Sequence, residues 1–495
     1  MRSSDMTLYD AISRNALLYP QREAVVHNGE RLDCAQFKSL CDRMAGCLLL
    51  EGVKKGDRVA VLSRNSSKYL MLYAAAAKVG AILVPINWRA QAQEIEHILI
   101  DSSPRLVLAA DEYMETAHAL AGKMGPVPKC LEMGAFGRSD CGCAEETALA
   151  GVPGDGCVLM YTAAVGGKPQ GALLSQGNII SCGVQLLDLY GLGPEDCNLC
   201  FIPLFHIGGL SMCAAIMLRG GKNVLTDGFD PEEALGLIQR EKVSVFFSFS
   251  PMLKMLADKI NDHDLSSVRK VSGIESPENI SLFCDRARNA RFYSTYGQTE
   301  CMPVSGCPRD EKPGSIGRPA VLTRVAILDD YGHEVPPWVY GEICVRSPAV
   351  FGGYWNMAED SAGAIGDGWH HTGDTGRFDS EGYLWYGGRR PVKELIKTGG
   401  ENVYPAEVEK AILAHGSVAE AAVFGVPDQT WGEAVAALVV VKEGMGLDKG
   451  ELLDFLGGRI AGYKKPRHVI FAESLPKTAR GEVDREKIRE KHSKI

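Results

Sequence analysis

Three short stretches of the chain carry residue types that can handle phosphate, metal and sugar hydroxyls. The run from Phe292 to Glu300 starts with strand-forming residues and ends in a glycine turn, Gly297-Gln298-Thr299-Glu300, that bears a hydroxyl and a carboxylate. Gly297 lets backbone approach a ligand, the Thr299 hydroxyl can donate to a phosphate oxygen, and Glu300 can hold Mg2+, a hard cation that takes oxygen ligands and keeps substrate phosphates. In the second stretch, Trp369 to Gly376, Asp374 lies between Gly373 and Gly376. Its carboxylate can accept from the two hydroxyls of a ribose, or it can bond to its own turn. The third runs from Lys393 to Glu409, where Gly399-Gly400 forms a bendable loop and Pro405 opens a helix with Glu407 and Glu409 near its positive end. Read one at a time, each stretch also fits an ordinary turn or hairpin.

The elements that must hold these turns are legible as alternating periodicities. From Cys34 to Leu50 apolar residues recur at helical spacing, and Gly52 and Gly56 punctuate the stop. Asp57 to Ser63 is a buried-strand run, followed by a helical stretch through Lys78 and a second run from Ala81 to Val84. The rhythm resumes at Cys157 to Tyr161, Leu199 to Pro203, Val243 to Phe249 and Arg291 to Tyr296, with helices expected over Pro231 to Glu241 and Pro251 to Lys259. Largely parallel sheets layered with helices follow, and in such sheets ligands sit beyond the carboxyl ends of the strands. After Gly387-Gly388 about a hundred residues carry their own strands, Ala421 to Val426 and Ala434 to Val441, and a helix from Lys449 to Ile460. The expected fold class is therefore α/β, with a large N-terminal domain over 1–387 and a small α+β C-terminal domain over 388–495.

Composition removes several classes of function. A chain of 495 residues exceeds the size at which one core keeps growing. Its net charge of −9 argues against nucleic acid, which calls for a basic face. Apolar stretches such as Tyr69 to Ala77 stop well short of the roughly 20 residues of a spanning helix. The 15 cysteines are scattered, and no charged region followed by an apolar one opens the chain, so reduced thiols and a cytoplasmic location are expected. Cys141-Gly142-Cys143 lacks the second pair that a zinc site would need, and reads as a loop with ordinary thiols.

The three stretches occur in the same order in the adenylate-forming (AMP-binding) superfamily of acyl-CoA synthetases, peptide-synthetase adenylation domains and firefly luciferase, which this chain resembles from about Thr7 to Arg485. Further matching runs are Ile202 to Gly209, Gly314 to Pro319 and Leu475 to Thr478. The resemblance implies an ATP-dependent carboxylic acid–CoA ligase that forms an acyl-adenylate and releases pyrophosphate and AMP. The C-terminal domain would rotate between the two half-reactions, and the cofactors would be ATP, Mg2+ and CoA. It further implies that Gly273, Ile274 and Glu275 with Ser294, Thr295, Tyr296, Gly297 and Gln298 floor the adenine and acid site. Thr299 and Glu300 would take phosphate and metal, Asp374 and Arg389 the ribose. His206 would gate the acyl pocket, Thr162, Gly166, Gly167 and Lys168 would form the phosphate loop, and Lys397, Gly399, Gly400 and Glu401 would meet CoA. The acid itself is expected to be apolar: fatty, alicyclic or aromatic. A homodimer is left open.

Three places depart from the family pattern, one of them in length, since two extra residues separate Arg389 from the run that starts at Lys393. The phosphate loop, Tyr161 to Gly171, has lost several hydroxyls and carries the neutral Gln170 where a lysine is implied; Pro169 excludes a Walker loop. In the C-terminal motif Glu482 stands where the resemblance implies a catalytic lysine. Lys477, Arg480, Lys464 and Lys465 are candidate substitutes, and Pro391 stands near the implied hinge. An adenylation-deficient relative that binds nucleotide or acyl-CoA, or that performs only the thioester half-reaction, is the alternative reading.

Overall fold

Short apolar runs pair into sheets whose strand ends converge on one cleft. The computed structural model describes residues 6–138, 149–162, 169–389, 395–428, 430–477 and 483–492. Among these, four sheets form. In a nine-stranded sheet the strands Arg291–Gln298, Lys270–Ile274, Val245–Phe249, Cys197–Cys200, Lys222–Leu225 and Glu23–His27 run parallel, and antiparallel strands finish both edges. Helices cover this sheet because their apolar stripes need burial. Pro231–Glu241, for example, buries Leu235 and Ile238, starts on a proline, and is capped by Asp230, which accepts from the Glu233 amide at 2.9 Å.

A six-stranded sheet places Arg58–Leu62, Ile82–Ile86 and Leu106–Ala109 parallel and ends in the antiparallel pair Gly156–Thr162 and Gln170–Ser175, which brings Thr162 opposite Gln170. The third sheet is antiparallel, with Asp374 of Trp369–Phe378 directly across from Arg389 of Leu384–Arg389. The chain then changes sheet. Ile396–Thr398 and Glu401–Val403 form a hairpin beside the long pair Val418–Asp428 and Gly432–Val441, around a separate core that includes Val408, Ile412, Val423 and Leu452. This is the α/β architecture expected, a large layered N-terminal part and a smaller C-terminal one.

Several sequence-derived ends shift. The expected helix from Lys449 stops at Leu456 because Gly457 and Gly458 follow, and glycine is a poor helix former. The strand expected over Leu199 to Pro203 spans Cys197–Cys200. Burial pushes the Cys157, Cys182 and Cys197 thiols up to about 12. The Cys141-Gly142-Cys143 run lies outside the described residues. No helix among the described residues is long and apolar enough to cross a membrane.

One glycine shows how tightly the cleft wall is built. Gly273 sits at φ +129°, and a Cβ there would stand 1.8 Å from the Ser248 carbonyl oxygen. Gly273→Ala should therefore destabilise the protein by about 3 kcal/mol or more, read as a lowered denaturant midpoint; an unchanged midpoint would contradict this packing.

Candidate active site

The carboxyl ends of the central parallel strands open into a cavity of about 220 Å³, lined from both parts of the chain. Strand alternation decides which predicted residues reach it. On Arg291–Gln298, Thr295 and Gly297 face the cavity, as do Gln298, Thr299 and Glu300 where the strand ends. Ser294 and Tyr296 do not line it. Tyr296 instead donates its hydroxyl to Asp374 at 2.6 Å.

Asp374 is almost wholly buried and does not line the cavity. Its carboxylate accepts from Tyr296 and from the Gln298 amide at 2.6 Å and from Tyr386 at 3.3 Å, and Arg389 Nε lies 3.2 Å away. The role this supports is to fix Gln298 and Arg389, both of which do line the cavity. Glu300 is nearly buried and accepts from the Tyr354 hydroxyl at 2.8 Å, the one donor to its carboxylate among the described residues. An oxygen is left for a cation, so the group fits Mg2+.

Gly273 and Ile274 line the cavity, whereas Glu275 turns away. Its oxygens accept from Ser248 at 2.7 Å, the Leu253 amide at 2.9 Å and Asn279 at 3.1 Å, so the Glu275 side chain pins two helices rather than a ligand. Thr162 and Gln170 line the cavity, while Gly166, Gly167 and Lys168 lie outside the described residues, as do Arg480 and Glu482.

The C-terminal hairpin closes the cavity. Gly400 packs so closely on Phe249 that a Cβ would lie 2.9 Å from the ring. Lys397 lines the cavity beside Arg389, and burial, with Arg389 next, holds its ammonium below the ordinary lysine value. Arg389 and Lys397 are the two lysine or arginine side chains that line it among the described residues. Glu401, 5% exposed, lies between Arg89 Nη1 at 3.0 Å and His206 Nε2 at 3.3 Å. Burial pushes the Glu401 carboxyl up, but His206, Arg89 and Lys464 outweigh it and hold it below its ordinary value of 4.5.

A second cavity, about 80 Å³, shares Thr162, His206, Thr299 and Asn402 with the first and runs past Glu401, Tyr463 and Lys464. Lys464 is buried between Glu94 and Glu407, the latter at 2.6 Å. Burial pulls its ammonium down, and the two carboxylates more than reverse that. Lys477 pairs with Glu420 at 2.9 Å. Two of the four candidate substitutes for the implied lysine, Lys464 and Lys477, are therefore engaged elsewhere in this arrangement. Sequence reading missed Arg89, Glu94, Tyr354 and Tyr386, which carry no local motif and matter only through the partners the fold gives them. A further cluster, Glu342, Cys344 and His371, gathers three ligand types. Glu342 accepts from the Gly373 amide at 3.0 Å and sits 3.1 Å from His371 Nδ1, which supports the turn before Asp374.

The sequence matches the AMP-binding enzyme family over residues 12–355 and the AMP-binding enzyme C-terminal domain over 407–482. The chain belongs to the AMP-binding enzyme family. It is 36% identical to an indoleacetate–CoA ligase of Aromatoleum aromaticum over 98% of both chains. It is also 37% identical to a feruloyl-CoA synthase of Amycolatopsis, covering 96% of this chain and 97% of that one. Among solved structures it resembles an amide bond synthetase of Marinactinospora thermotolerans, with a TM-score of 0.89 at 28% identity over 98% of this chain and 99% of that one. An o-succinylbenzoate CoA synthetase of Bacillus subtilis gives a TM-score of 0.87 at 28% identity over 98% of both.

Two outcomes follow for this family member. Lys464→Met strands Glu94 and Glu407 against each other in a buried site, and should cost about 3–5 kcal/mol of stability or of domain docking; a loss below 1 kcal/mol in a denaturation series would refute the buried pairing. Glu401, with a folded pKa below its unfolded one, contributes stability that is fully present above about pH 4.5 and lost as pH falls through the folded value. Protease sensitivity of the joint between the two parts should accordingly rise on acidification below that pH, and Glu401→Gln should flatten the response.

Proposed function

We propose that this protein is an ATP-dependent carboxylic acid–CoA ligase that works through an acyl-adenylate and releases pyrophosphate and AMP. The observation that carries the reading is the meeting of two cavities at His206 and Thr299: one holds an acidic group, two cations and an apolar wall, and the other leads in beside the C-terminal hairpin. That arrangement suits one ligand bearing phosphates and an acyl group, and a second approaching the same carbon by another route. The relatives named as CoA ligases support it. The chain is an AMP-forming acid–thiol ligase; which acid it takes is the finer part of the proposal.

In the first step a carboxylate oxygen attacks the α-phosphorus of ATP, and the bond to pyrophosphate breaks. Thr299 donates to a phosphate oxygen, while Arg389 and Lys397 balance phosphate charge in a site largely removed from water. Glu300 would hold Mg2+, which when bound screens the negative charge of the phosphates. In the second step the CoA thiol loses its proton, its sulfur attacks the acyl carbon, and AMP departs with the bonding electrons. The hairpin Ile396–Val403, docked as it is here, would guide the thiol. The boundary between a fixed N-terminal and a turning C-terminal domain belongs to this proposal, in the stretch after Gly387.

A second reading, thioester transfer without adenylation, draws support from Glu482 and from the engagement of Lys464 and Lys477 by carboxylates. Pyrophosphate and AMP release with MgATP, CoA and a panel of apolar acids separates the two. Turnover that requires both acid and CoA is expected, and Glu482→Lys should raise the adenylation rate by about 10²-fold. Silence with ATP, alongside conversion of preformed acyl-adenylate to acyl-CoA, would replace the first reading with the second.

A further inference from the structure

Three side chains able to ligate a transition metal meet on the reverse of the cavity wall. In the antiparallel pair of Gly341–Arg346 and Trp369–Phe378, Cys344 lies directly across from His371. Glu342 is two residues before Cys344, so strand alternation puts both on one face. The register slips between them, leaving Glu342 opposite Thr375, and a bulge of this kind bends a strand and re-aims its side chains. On Trp369–Phe378 the flanking His370 and Thr372 line the cavity, and His371, between them, faces the other way.

The distances suit a shared ion. His371 Nδ1 is 3.4 Å from Cys344 Sγ and 3.1 Å from Glu342 Oε2, and the three ligand atoms all lie within 4.8 Å of one another. Zinc binds thiolate at about 2.3 Å and imidazole or carboxylate at about 2.0–2.2 Å, so neighbouring ligands of a tetrahedral site stand about 3.3–3.6 Å apart. One ring nitrogen meets both the thiol and the carboxylate, whereas a hydrogen-bonded catalytic relay uses the two ring nitrogens separately. Thiolate and imidazole together select zinc-like ions over Mg2+, and two anionic ligands balance a divalent charge. Cys344 is fully buried, while the Glu342 and His371 side chains are 11% and 30% exposed, so solvent can reach a fourth position from the His371 side. Glu342 accepts from the Gly373 amide through Oε1 at 3.0 Å, so an ion on Oε2 would tie the turn leading to Asp374 through one carboxylate.

We infer that Glu342, Cys344 and His371 form a three-ligand site for one divalent ion of the zinc class, completed by water, which braces the cavity wall from behind. Binding of this ion is independent of the ligase reading. Co2+ is the probe: the full-length protein, reduced and stripped of metal, is titrated without oxygen while thiolate-to-Co2+ charge-transfer absorption is followed. One equivalent of Co2+ should raise this band, and Zn2+ should displace it. Cys344→Ser should abolish the band. His371→Gln and Glu342→Gln, the second of which keeps an acceptor for the Gly373 amide, should each weaken Co2+ binding by about 10²-fold or more. Should Cys344→Ser fail to fold, His371→Gln at a partly exposed position, with its fold checked by circular dichroism, decides the matter. No band, a band that Zn2+ leaves in place, a band that survives Cys344→Ser, or an affinity unchanged in folded His371→Gln overturns the site.

Discussion

A buried carboxylate determines how the two parts of this chain meet. Glu401 belongs to the C-terminal hairpin, whereas the cations beside it, Arg89 and His206, belong to the N-terminal part. A lone buried carboxylate costs several kcal/mol, so this one is stable only while the hairpin is docked against those partners. Docking in turn seats Gly400 on Phe249 and carries Lys397 to the cavity wall. Lys464 repeats the device with the signs reversed, a C-terminal cation held in part by Glu94 of the N-terminal helix Ala92–Ser102.

Asp374 plays the corresponding part inside the N-terminal region. Its oxygens gather Tyr296, Gln298, Tyr386 and Arg389 from strands of two different sheets. The position of the Arg389 guanidinium beside the cavity is thus a consequence of a carboxylate that itself lies behind the wall. The ribose contact implied by family resemblance stays an expectation for Asp374, and the buried network is what holds its carboxylate beside two residues that line the cavity.

The lining of the cavity mixes apolar and polar side chains. Phe247, Phe249 and Met302 supply apolar surface, and the hydroxyls of Ser272 and Thr295 line the same cavity. Such a juxtaposition of side chains from several strands has no trace in overall hydropathy.

Much of the scaffold was readable directly. The helices Cys34–Leu50 and Pro231–Glu241 have the ends that periodicity, capping residues and glycines imply, because such signals act over three or four residues along the chain. The turns after the parallel strands were readable for the same reason, and Thr299, Glu300, Arg389, Gly400 and His206 do converge on one cavity. The sequence by itself thus determined the elements, their order and the motifs at their ends. Only the tertiary structure decided that Tyr296 and Asp374 point away from the cavity, that Glu275 pins helices, that Glu401 is an ionic clasp, and that Tyr190, Ser272 and Thr295 form one cluster. Those outcomes depend on strand register and on contacts between residues tens to hundreds of positions apart, which no local spacing encodes.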